Sequence, residues 1–251
     1  MNNAYCMCTM AETYGPHMDE WMSSKINNGD KFSIIDKTNN TGFDKGFGFT
    51  DAELRDKFYT NQEISKFHYW SPGGYRTVAW FYAHFRMINF YLSYPDYDYY
   101  WFFDDDIIMN NWEAFFDSFN SESSDFLSYF CFKNKGVLSQ PSVPEINEKS
   151  RSSYGWFGRF PGDGDKMPPN VGDLFGSFFP TNRFSNSALK NILEITNNGY
   201  NGYGEGFVPT VLNHNGFKLN TIIKSDDTSD FFNVDELNIL HKHIRVTWAW
   251  I

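Results

Sequence analysis

The sequence predicts a single α/β domain whose mixed central sheet is flanked by helices. Strand and helix patterns alternate through the first half of the chain. Three consecutive carboxylates, Asp104, Asp105 and Asp106, end a strongly apolar strand pattern. The length of 251 residues is enough for one large core, and no stretch has the composition of a linker between two domains.

The first half contains the clearest element signals. Short apolar runs at residues 4–10 and 31–36 are typical of buried strands, and residues 12–25 carry apolar side chains at helical spacing. The other elements predicted there are a loop at residues 38–49, a capped helix start at 50–54, an aromatic-rich helix at 78–92 and a strand at 99–109.

The second half is predicted to be less regular. Its predicted elements are a strand at residues 125–133, a polar loop at 135–149, a strand at 174–180, a helix at 185–197 capped by Ser185, a helix at 207–216 beginning near Pro209, and a last strand at 218–223. Residues 151–170 hold aromatic side chains among glycines and prolines, and such a segment is too apolar for an exposed loop. It is predicted to cover a cleft as a lid or to form a satellite hydrophobic cluster.

Composition excludes several classes of function. The net charge is −10 and no Lys/Arg cluster interrupts it, which argues against nucleic acid held by its phosphates. Aromatic residues make up 20% of the chain, which leaves rings to stack on sugars or nucleobases. Three cysteines do not suggest a disulfide framework, and no run of about 18 apolar residues occurs, so we expect a soluble, cytoplasmic protein.

The acidic triplet is the strongest candidate site. Carboxylates beside a buried strand need a cation or hydrogen-bond donors. Because side chains alternate along a strand, Asp104 and Asp106 would share one face and could share a divalent ion, whereas Asp105 would face the other way. The alternative is a solvated loop tip or the N-cap of the next helix. Ligands in open α/β sheets bind at the carboxyl ends of strands, which favours a site.

Several segments in order carry a family resemblance. The strand ending Trp-Phe-Phe-Asp-Asp-Asp-Ile resembles the Asp-x-Asp element of glycosyltransferases with the nucleotide-diphospho-sugar-transferase (GT-A) fold. Residues 175–185, Phe-Gly-Ser-Phe-Phe-Pro-Thr-Asn-Arg-Phe-Ser, are similar to the segment that lines the acceptor side. Residues 204–212, Gly-Glu-Gly-Phe-Val-Pro-Thr-Val-Leu, resemble the Asp-Glu-x-x-x-x-Thr-Leu stretch of branching N-acetylglucosaminyltransferases and an acidic turn of bacterial relatives. The resemblance covers most of residues 4–245.

The resemblance implies a fold and an activity. It implies one GT-A domain over residues 1–251, with a nucleotide-sugar-binding half at 4–109 and an acceptor-binding half at 110–251. The implied reaction is metal-dependent transfer of a sugar from a nucleotide-diphosphate donor to a glycan acceptor. The implied setting is bacterial surface polysaccharide or lipopolysaccharide synthesis in the cytoplasm, with peripheral contact to the inner membrane as an option.

The implied metal is Mn²⁺ or Mg²⁺, which would neutralise the diphosphate leaving group. Its candidate ligands are Asp104, Asp106 and His241, since the family places a late His near residues 240–243; an imidazole ligand would favour Mn²⁺. His243 is the alternative ligand, and an ordinary surface role is the alternative for either histidine. Asp105 would contact the ribose or a sugar hydroxyl.

An inverting reaction needs a base for the acceptor hydroxyl, and Glu205 is the candidate. The alternative is that Glu205 satisfies the amides of its own helix. Gly204 stands where the branching enzymes have an acid, and those enzymes tend to lack a metal site, so a retaining mechanism stays open. Asp173 is a weaker candidate for the acceptor side, and Trp156 is a candidate for stacking on the acceptor sugar.

The nucleotide end of the site is implied by the resemblance alone. It places Thr9 and Asp36, at the ends of the first two strands, near the base and ribose. Arg76 could reach a phosphate, and each of the three also suits a structural turn. Two other functions compete with the transferase: a carbohydrate-binding or degenerate transferase-like protein, and a metal-dependent phosphoesterase, which would ordinarily need more histidine ligands.

Overall fold

A computed structural model gives the fold. It describes residues 2–9, 18–38, 46–58, 82–105, 107–109, 111–129, 131–134, 166–222 and 244–246. The strands are β1 (Asn3–Thr9), β2 (Gly29–Asp36), β3 (Phe47–Phe49), β4 (Tyr99–Asp104), β5 (Ile107–Met109), β6 (Phe126–Ser128), β7 (Cys131–Asn134), β8 (Leu174–Ser177), β9 (Thr181–Ser185), β10 (Leu219–Thr221) and β11 (Ile244–Val246). The helices are α1 (Met18–Ser23), α2 (Asp51–Phe58), α3 (Ala83–Ser93), α4 (Trp112–Asp117), α5 (Asn186–Asn197) and α6 (Gly204–His214).

A seven-stranded mixed sheet forms the centre of the molecule, in the order β10-β6-β9-β4-β1-β2-β3. β1 pairs in parallel with both β2 and β4, and β9 runs antiparallel to its neighbours β4 and β6. Two smaller pairs, β5 with β11 and β7 with β8, are antiparallel. The predicted α/β fold with a mixed central sheet is therefore confirmed, and the sheet takes strands from both halves of the chain.

The side chains of β4 divide the core into two clusters because they alternate between the faces of the sheet. Tyr100 and Phe102 pack in a cluster with α2, α3, α5 and α6. Trp101 and Phe103 pack in a second cluster with α1 and α4. Each buried ring contributes about 1.5–3 kcal/mol of transfer free energy. Much of the aromatic content that the composition left available for ligands is therefore part of the core.

Two predicted helix caps are confirmed. At α2, the Thr50 hydroxyl accepts a hydrogen bond from the Glu53 amide at 3.2 Å, and the Glu53 carboxylate accepts one from the Thr50 amide at 2.6 Å. This reciprocal pair is a capping box. At α5, the Ser185 hydroxyl accepts from the Ala188 amide at 3.2 Å. These caps use contacts within three residues, which is why the sequence alone could predict them.

Several predicted strands differ from those observed. The strand predicted at residues 99–109 is divided into β4 and β5, and the one at 125–133 is divided into β6 and β7, which belong to different sheets. β3 lies within the loop predicted at 38–49, and β11 follows the strand predicted to be the last, at 218–223. β9 lies between the strand predicted at 174–180 and the helix predicted at 185–197. The unpredicted pieces are three to five residues long, too short for a period of two to be clear, and their pairing is set by distant partners.

Helix α6 begins at Gly204, whereas the sequence predicted a start at residue 207 near Pro209. The prediction was wrong because it placed Pro209 in the first turn, where a missing amide hydrogen is tolerated. In α6, Pro209 lies farther along and cannot donate to the Glu205 carbonyl four residues earlier. The buried Ser177 hydroxyl donates to that carbonyl instead, at 3.0 Å. The proline therefore frees an acceptor that ties α6 to β8.

A second contact fixes the direction of α6 along β8. The Thr210 hydroxyl accepts a hydrogen bond from the Phe175 amide at 2.9 Å and donates to the Phe175 carbonyl at 3.3 Å. Together with the Ser177 contact, it aligns the first turn of α6 with the carboxyl end of β8.

None of the helices in the described ranges is long and apolar enough to span a bilayer.

Candidate functional site

The candidate site lies at the carboxyl end of β4, between β1 and the turn that leads into β9. Asp104 is opposite Cys8 in the parallel pairing of β4 with β1. The Asp104 amide donates to the Pro180 carbonyl at 2.9 Å, and the Asp105 amide donates to the Cys8 carbonyl at 3.1 Å. β4 ends at Asp104, so the alternation predicted for the whole triplet applies only up to that residue.

A buried arginine supplies the cation that Asp104 needs. Arg86 of α3 donates through Nη2 to Asp104 Oδ1 at 2.6 Å, and only 2% of the Arg86 side chain is exposed, against 21% for Asp104. Burial raises the pKa of the Asp104 carboxyl, and the guanidinium opposes that shift. Sequence reasoning missed Arg86. The available signal was a single arginine within the mostly apolar and aromatic helix Ala83–Ser93.

The Glu205 carboxylate is held from two sides in the first turn of α6. Oε1 accepts a hydrogen bond from the Phe179 amide at 3.1 Å, and Oε2 accepts one from the Tyr203 hydroxyl. Neither donor is an amide of α6. The alternative in which Glu205 caps its own helix is therefore not the arrangement observed, and the carboxylate instead bridges α6 to the turn between β8 and β9.

The environment of Glu205 favours a protonation change near neutrality. Burial raises the pKa of the Glu205 carboxyl to about 7, the hydrogen bonds from Tyr203 and Phe179 lower it, and the negative charge of Asp104 raises it further. Two of the sequence-predicted site residues, Asp104 and Glu205, are therefore close enough for the charge of one to influence the pKa of the other. A carboxyl with this pKa is suited to accept a proton at physiological pH.

Gly204 departs from the acid expected of the branching enzymes, and its surroundings explain why. A Cβ atom added at Gly204 would lie 3.2 Å from His84 Nδ1 and 3.2 Å from the Phe179 ring. His84 of α3 is fully buried and stacks on Phe207 with ring centroids 5.3 Å apart. The close approach of α3 to the start of α6 thus makes position 204 tight, and His84 or Phe179 would have to shift slightly to admit any side chain there.

His84 itself is a buried imidazole whose two nitrogens make no hydrogen bond with any residue in the described ranges. Burial lowers the pKa of His84 to about 3, so the folded protein holds it neutral. The unfolded chain binds a proton near pH 6.5, so stability is lost as pH falls below that value, by about 1.4 kcal/mol per pH unit. His84→Phe preserves the stack on Phe207 and removes the titration.

We therefore expect the fall in unfolding free energy between pH 7 and pH 5 to be about 2 kcal/mol smaller in His84→Phe than in the parent. Urea denaturation at the two pH values measures it. His214→Gln, at an exposed histidine in the last turn of α6, is the matched control and should leave the difference unchanged. An identical pH dependence in the parent and His84→Phe would contradict a neutral buried His84.

The residues implied at the nucleotide end lie at the ends of neighbouring strands. Thr9 ends β1, is 2% exposed, and its hydroxyl makes no hydrogen bond within the part of the chain that the structure describes. Asp36 ends β2, and its Oδ1 accepts from the Thr38 amide at 2.9 Å and the Thr38 hydroxyl at 2.5 Å. Thr38 in turn accepts from the Asp51 amide at 2.8 Å. Asp36 thus stabilises the approach to α2, in addition to any contact with a ligand.

Asp173 is not brought to Glu205. It is 55% exposed, forms an ion pair with Lys133 at 2.5 Å and precedes β8. Ser177, at the other end of β8, is the residue of that strand that contacts Glu205. Asp173 and Ser177 are four positions apart along an extended segment, which separates them by roughly 13 Å at about 3.3 Å per residue.

The remaining predicted site residues, Arg76, Asp106, Trp156 and His241, lie outside the described residues. β11 pairs with β5, with Val246 opposite Ile107, so a late segment of the chain reaches the strand that follows the acidic triplet. Within the described ranges, no three His, Cys, Asp or Glu side chains group closely enough to hold a metal ion. Asp104 would therefore need ligands from other parts of the chain or from the substrate.

Comparisons with known proteins do not identify a family. No family model matches the sequence, and no curated protein matches it. Among solved structures, the chain is similar to the apo form of mouse xyloside xylosyltransferase 1, at 12% identity and a TM-score of 0.42, over 88% of this chain and 85% of that chain. A likeness at this level establishes neither a shared family nor a shared activity.

Proposed function

We propose that this protein is a metal-dependent, inverting glycosyltransferase that moves a sugar from a nucleotide-diphosphate donor to a glycan acceptor. One observation supports it above the others: Glu205 is a partly buried carboxyl with a pKa of about 7, in the electrostatic environment of Asp104 at the carboxyl end of β4. The sequence resemblance supports the substrate class and a role in bacterial surface-glycan synthesis.

Glu205 would act as the general base. An inverting transfer removes the proton of the acceptor hydroxyl as the oxygen attacks the anomeric carbon, and the bond from that carbon to the diphosphate breaks. A carboxyl with a pKa near the working pH is about half ionised there, and its ionised form is basic enough to take that proton. Each Glu205 oxygen accepts one hydrogen bond from the residues that the structure describes, which fixes the direction of the carboxylate and leaves lone pairs for the acceptor hydroxyl.

The charge on the leaving group requires a separate cation. Arg86 is already paired with Asp104 Oδ1, but no hydrogen bond within the described residues reaches Asp104 Oδ2. A carboxylate oxygen in this position fits the preference of Mn²⁺ or Mg²⁺ for oxygen ligands. Asp104, Asp106 and His241 would hold the ion, and a bound ion would neutralise the diphosphate.

The other predicted residues complete the proposal. Thr9, Asp36, Arg76 and Asp105 would contact the nucleotide or the donor sugar. Trp156 would stack on the acceptor sugar, with Asp173 as a weaker acceptor contact on the outer end of β8. The protein would work in the cytoplasm, where nucleotide sugars are made, with peripheral contact to the inner membrane as an option.

Thermal unfolding with nucleotide diphosphates, with and without Mn²⁺, tests the donor and metal sites. At a ligand concentration of 100 times Kd, specific binding stabilises the folded state by about 2.7 kcal/mol. We expect the parent to show Mn²⁺-dependent stabilisation, and Asp106→Asn to lose it together with transfer while keeping the parent's stability without ligand. Asn keeps the shape of Asp106 but loses the charge that would hold the ion.

Asp56→Asn, at an exposed position on α2, is the matched control and should behave like the parent. Sugar binding without any response to nucleotide diphosphate would favour the carbohydrate-binding alternative, and metal-dependent hydrolysis of a simple phosphate ester would favour the phosphoesterase. Full transfer activity in Asp106→Asn would overturn the proposed metal site.

A further inference from the structure

Tyr203 lies at the N-terminal end of α6, where its backbone is fixed by the helix. Its carbonyl accepts hydrogen bonds from the amides of Gly206 at 3.0 Å and Phe207 at 2.8 Å. Tyr203 is the N-cap residue, but its side chain forms no hydrogen bond to a helix amide. The hydroxyl donates instead to Glu205 Oε2. The phenol thus contacts a partly buried carboxylate and not its own helix end.

The second donor to Glu205 is equally fixed. The Phe179 amide donates to Oε1 at 3.1 Å, and the fully buried Asn182 holds the Phe179 carbonyl through a 2.6 Å hydrogen bond from Nδ2. The carboxylate therefore rests between two donors from anchored parts of the chain.

Among the residues that the structure describes, two other elements contribute charged or titratable groups near the start of α6. β4 contributes Asp104, whose charge opposes ionisation of Glu205. α3 contributes Arg86, which is paired with Asp104, and His84, which is neutral above pH 3. Within the described part of the chain, the hydrogen bonds to the carboxylate itself come from Tyr203 and Phe179.

We propose that Tyr203 is a positioning residue that holds the Glu205 carboxylate in one orientation and in its ionised, proton-accepting form. The inference rests on the proposed function of Glu205 as the base. A hydrogen bond donated to a carboxylate stabilises the charged form, and it does so more strongly where water is excluded. Burial and the charge of Asp104 both raise the pKa of Glu205, and the hydrogen bond from the Tyr203 phenol offsets part of that increase.

Tyr203→Phe keeps the ring and removes the donor. We expect the acidic limb of the pH profile of kcat/KM to move up by about one pH unit. The rate would be about tenfold lower at pH 6 and would recover to within about threefold of the parent at pH 9. A purely structural role of Tyr203 would lower the rate equally at every pH. Tyr91→Phe, which loses a phenol hydrogen bond to Asn186 instead, is the matched control.

A measurement independent of transfer separates this inference from the proposed function. Carbon-13 NMR of glutamate side-chain carboxyls follows each titration, and Glu205→Gln identifies the Glu205 resonance by its absence. We expect that resonance to titrate near pH 7 in the parent and in Tyr91→Phe, and about one unit higher in Tyr203→Phe. Tyr203→Leu serves the same purpose if the Phe variant does not fold.

The NMR titration tests the inference about Tyr203, and the transfer assay of the parent tests the proposed function. An upward shift of the Glu205 titration with no transfer activity in the parent would support the inference about Tyr203 and overturn the proposed transferase. Transfer activity in the parent with the same Glu205 titration in Tyr203→Phe and Tyr203→Leu would overturn the inference and leave the transferase standing.

Discussion

Glu205→Gln is expected to lower turnover by about 10²–10⁴-fold while Mn²⁺-dependent stabilisation by a nucleotide diphosphate is retained. Gln is close to Glu in shape and keeps an acceptor oxygen for the Phe179 amide, but it cannot take a proton at neutral pH. In the parent, the rate should rise with pH through about 7, since the base must be ionised. Steady-state kinetics from pH 5.5 to 9, a range of about two units around neutrality, measures both effects.

The same variant should be more stable than the parent above neutral pH. The pKa of Glu205 is about 7 in the folded protein and 4.5 in its ordinary environment, so the folded state favours the protonated form. That contribution to stability is fully present below pH 4.5 and is lost as pH rises through 7. By pH 8 the loss is on the order of 3 kcal/mol, and a neutral Gln avoids it.

Glu194→Gln, at an exposed position on α5, is the control for both measurements and should change neither rate nor stability appreciably. Turnover of Glu205→Gln within about threefold of the parent would exclude Glu205 as the general base, because loss of a general base is expected to cost about 10²–10⁴-fold. Attention would then turn to a retaining mechanism. A loss of stability in Glu205→Gln at pH 8 would show instead that the ionised carboxylate stabilises the fold.

Local sequence signals were enough for the elements that depend on neighbouring residues. The capping box of Thr50 and Glu53 and the cap at Ser185 use contacts over three residues, and the apolar runs that form β1 and β2 are long enough to show their pattern. The placement of Asp104 at the carboxyl end of a central strand also followed from the alternation of strands and helices.

The interactions that define the site could not be predicted because they join distant residues. Arg86 meets Asp104 across 18 positions, and Phe179 meets Glu205 across 26. The sequence required a cation for the acidic triplet but did not distinguish a metal ion from an arginine on a neighbouring helix. The start of α6 depends on the Ser177 hydroxyl of β8, which donates to the Glu205 carbonyl that Pro209 leaves without a helical donor. Neither local propensity nor residue spacing predicts that contact.

Arg86→Met is expected to destabilise the protein by about 3–5 kcal/mol at pH 7, because it leaves the Asp104 carboxylate largely buried without its partner. Met has a similar length and no charge, so packing in α3 is mostly kept. Without the guanidinium, the pKa of Asp104 should rise further, since burial already raises it. Stability of the variant should therefore be higher at low pH and fall as pH rises through that pKa.

A double variant separates the cost of an unpaired charge from the loss of packing. Arg86→Met combined with Asp104→Leu removes both charges, and we expect it to recover most of the stability lost by Arg86→Met alone, because an apolar pair can replace a buried ion pair at little cost. Lys133→Met is the control: the side chains of Lys133 and Asp173 are 53% and 55% exposed and pair at 2.5 Å, and such pairs contribute about 0–1 kcal/mol. Urea denaturation of all four proteins provides the comparison.

A loss below about 1 kcal/mol in Arg86→Met, the range of an exposed pair, would mean that water or a metal ion satisfies Asp104 in place of the arginine. The carboxyl end of β4 would then carry a charge open to an added cation, and Mn²⁺ should stabilise Arg86→Met more than it stabilises the parent.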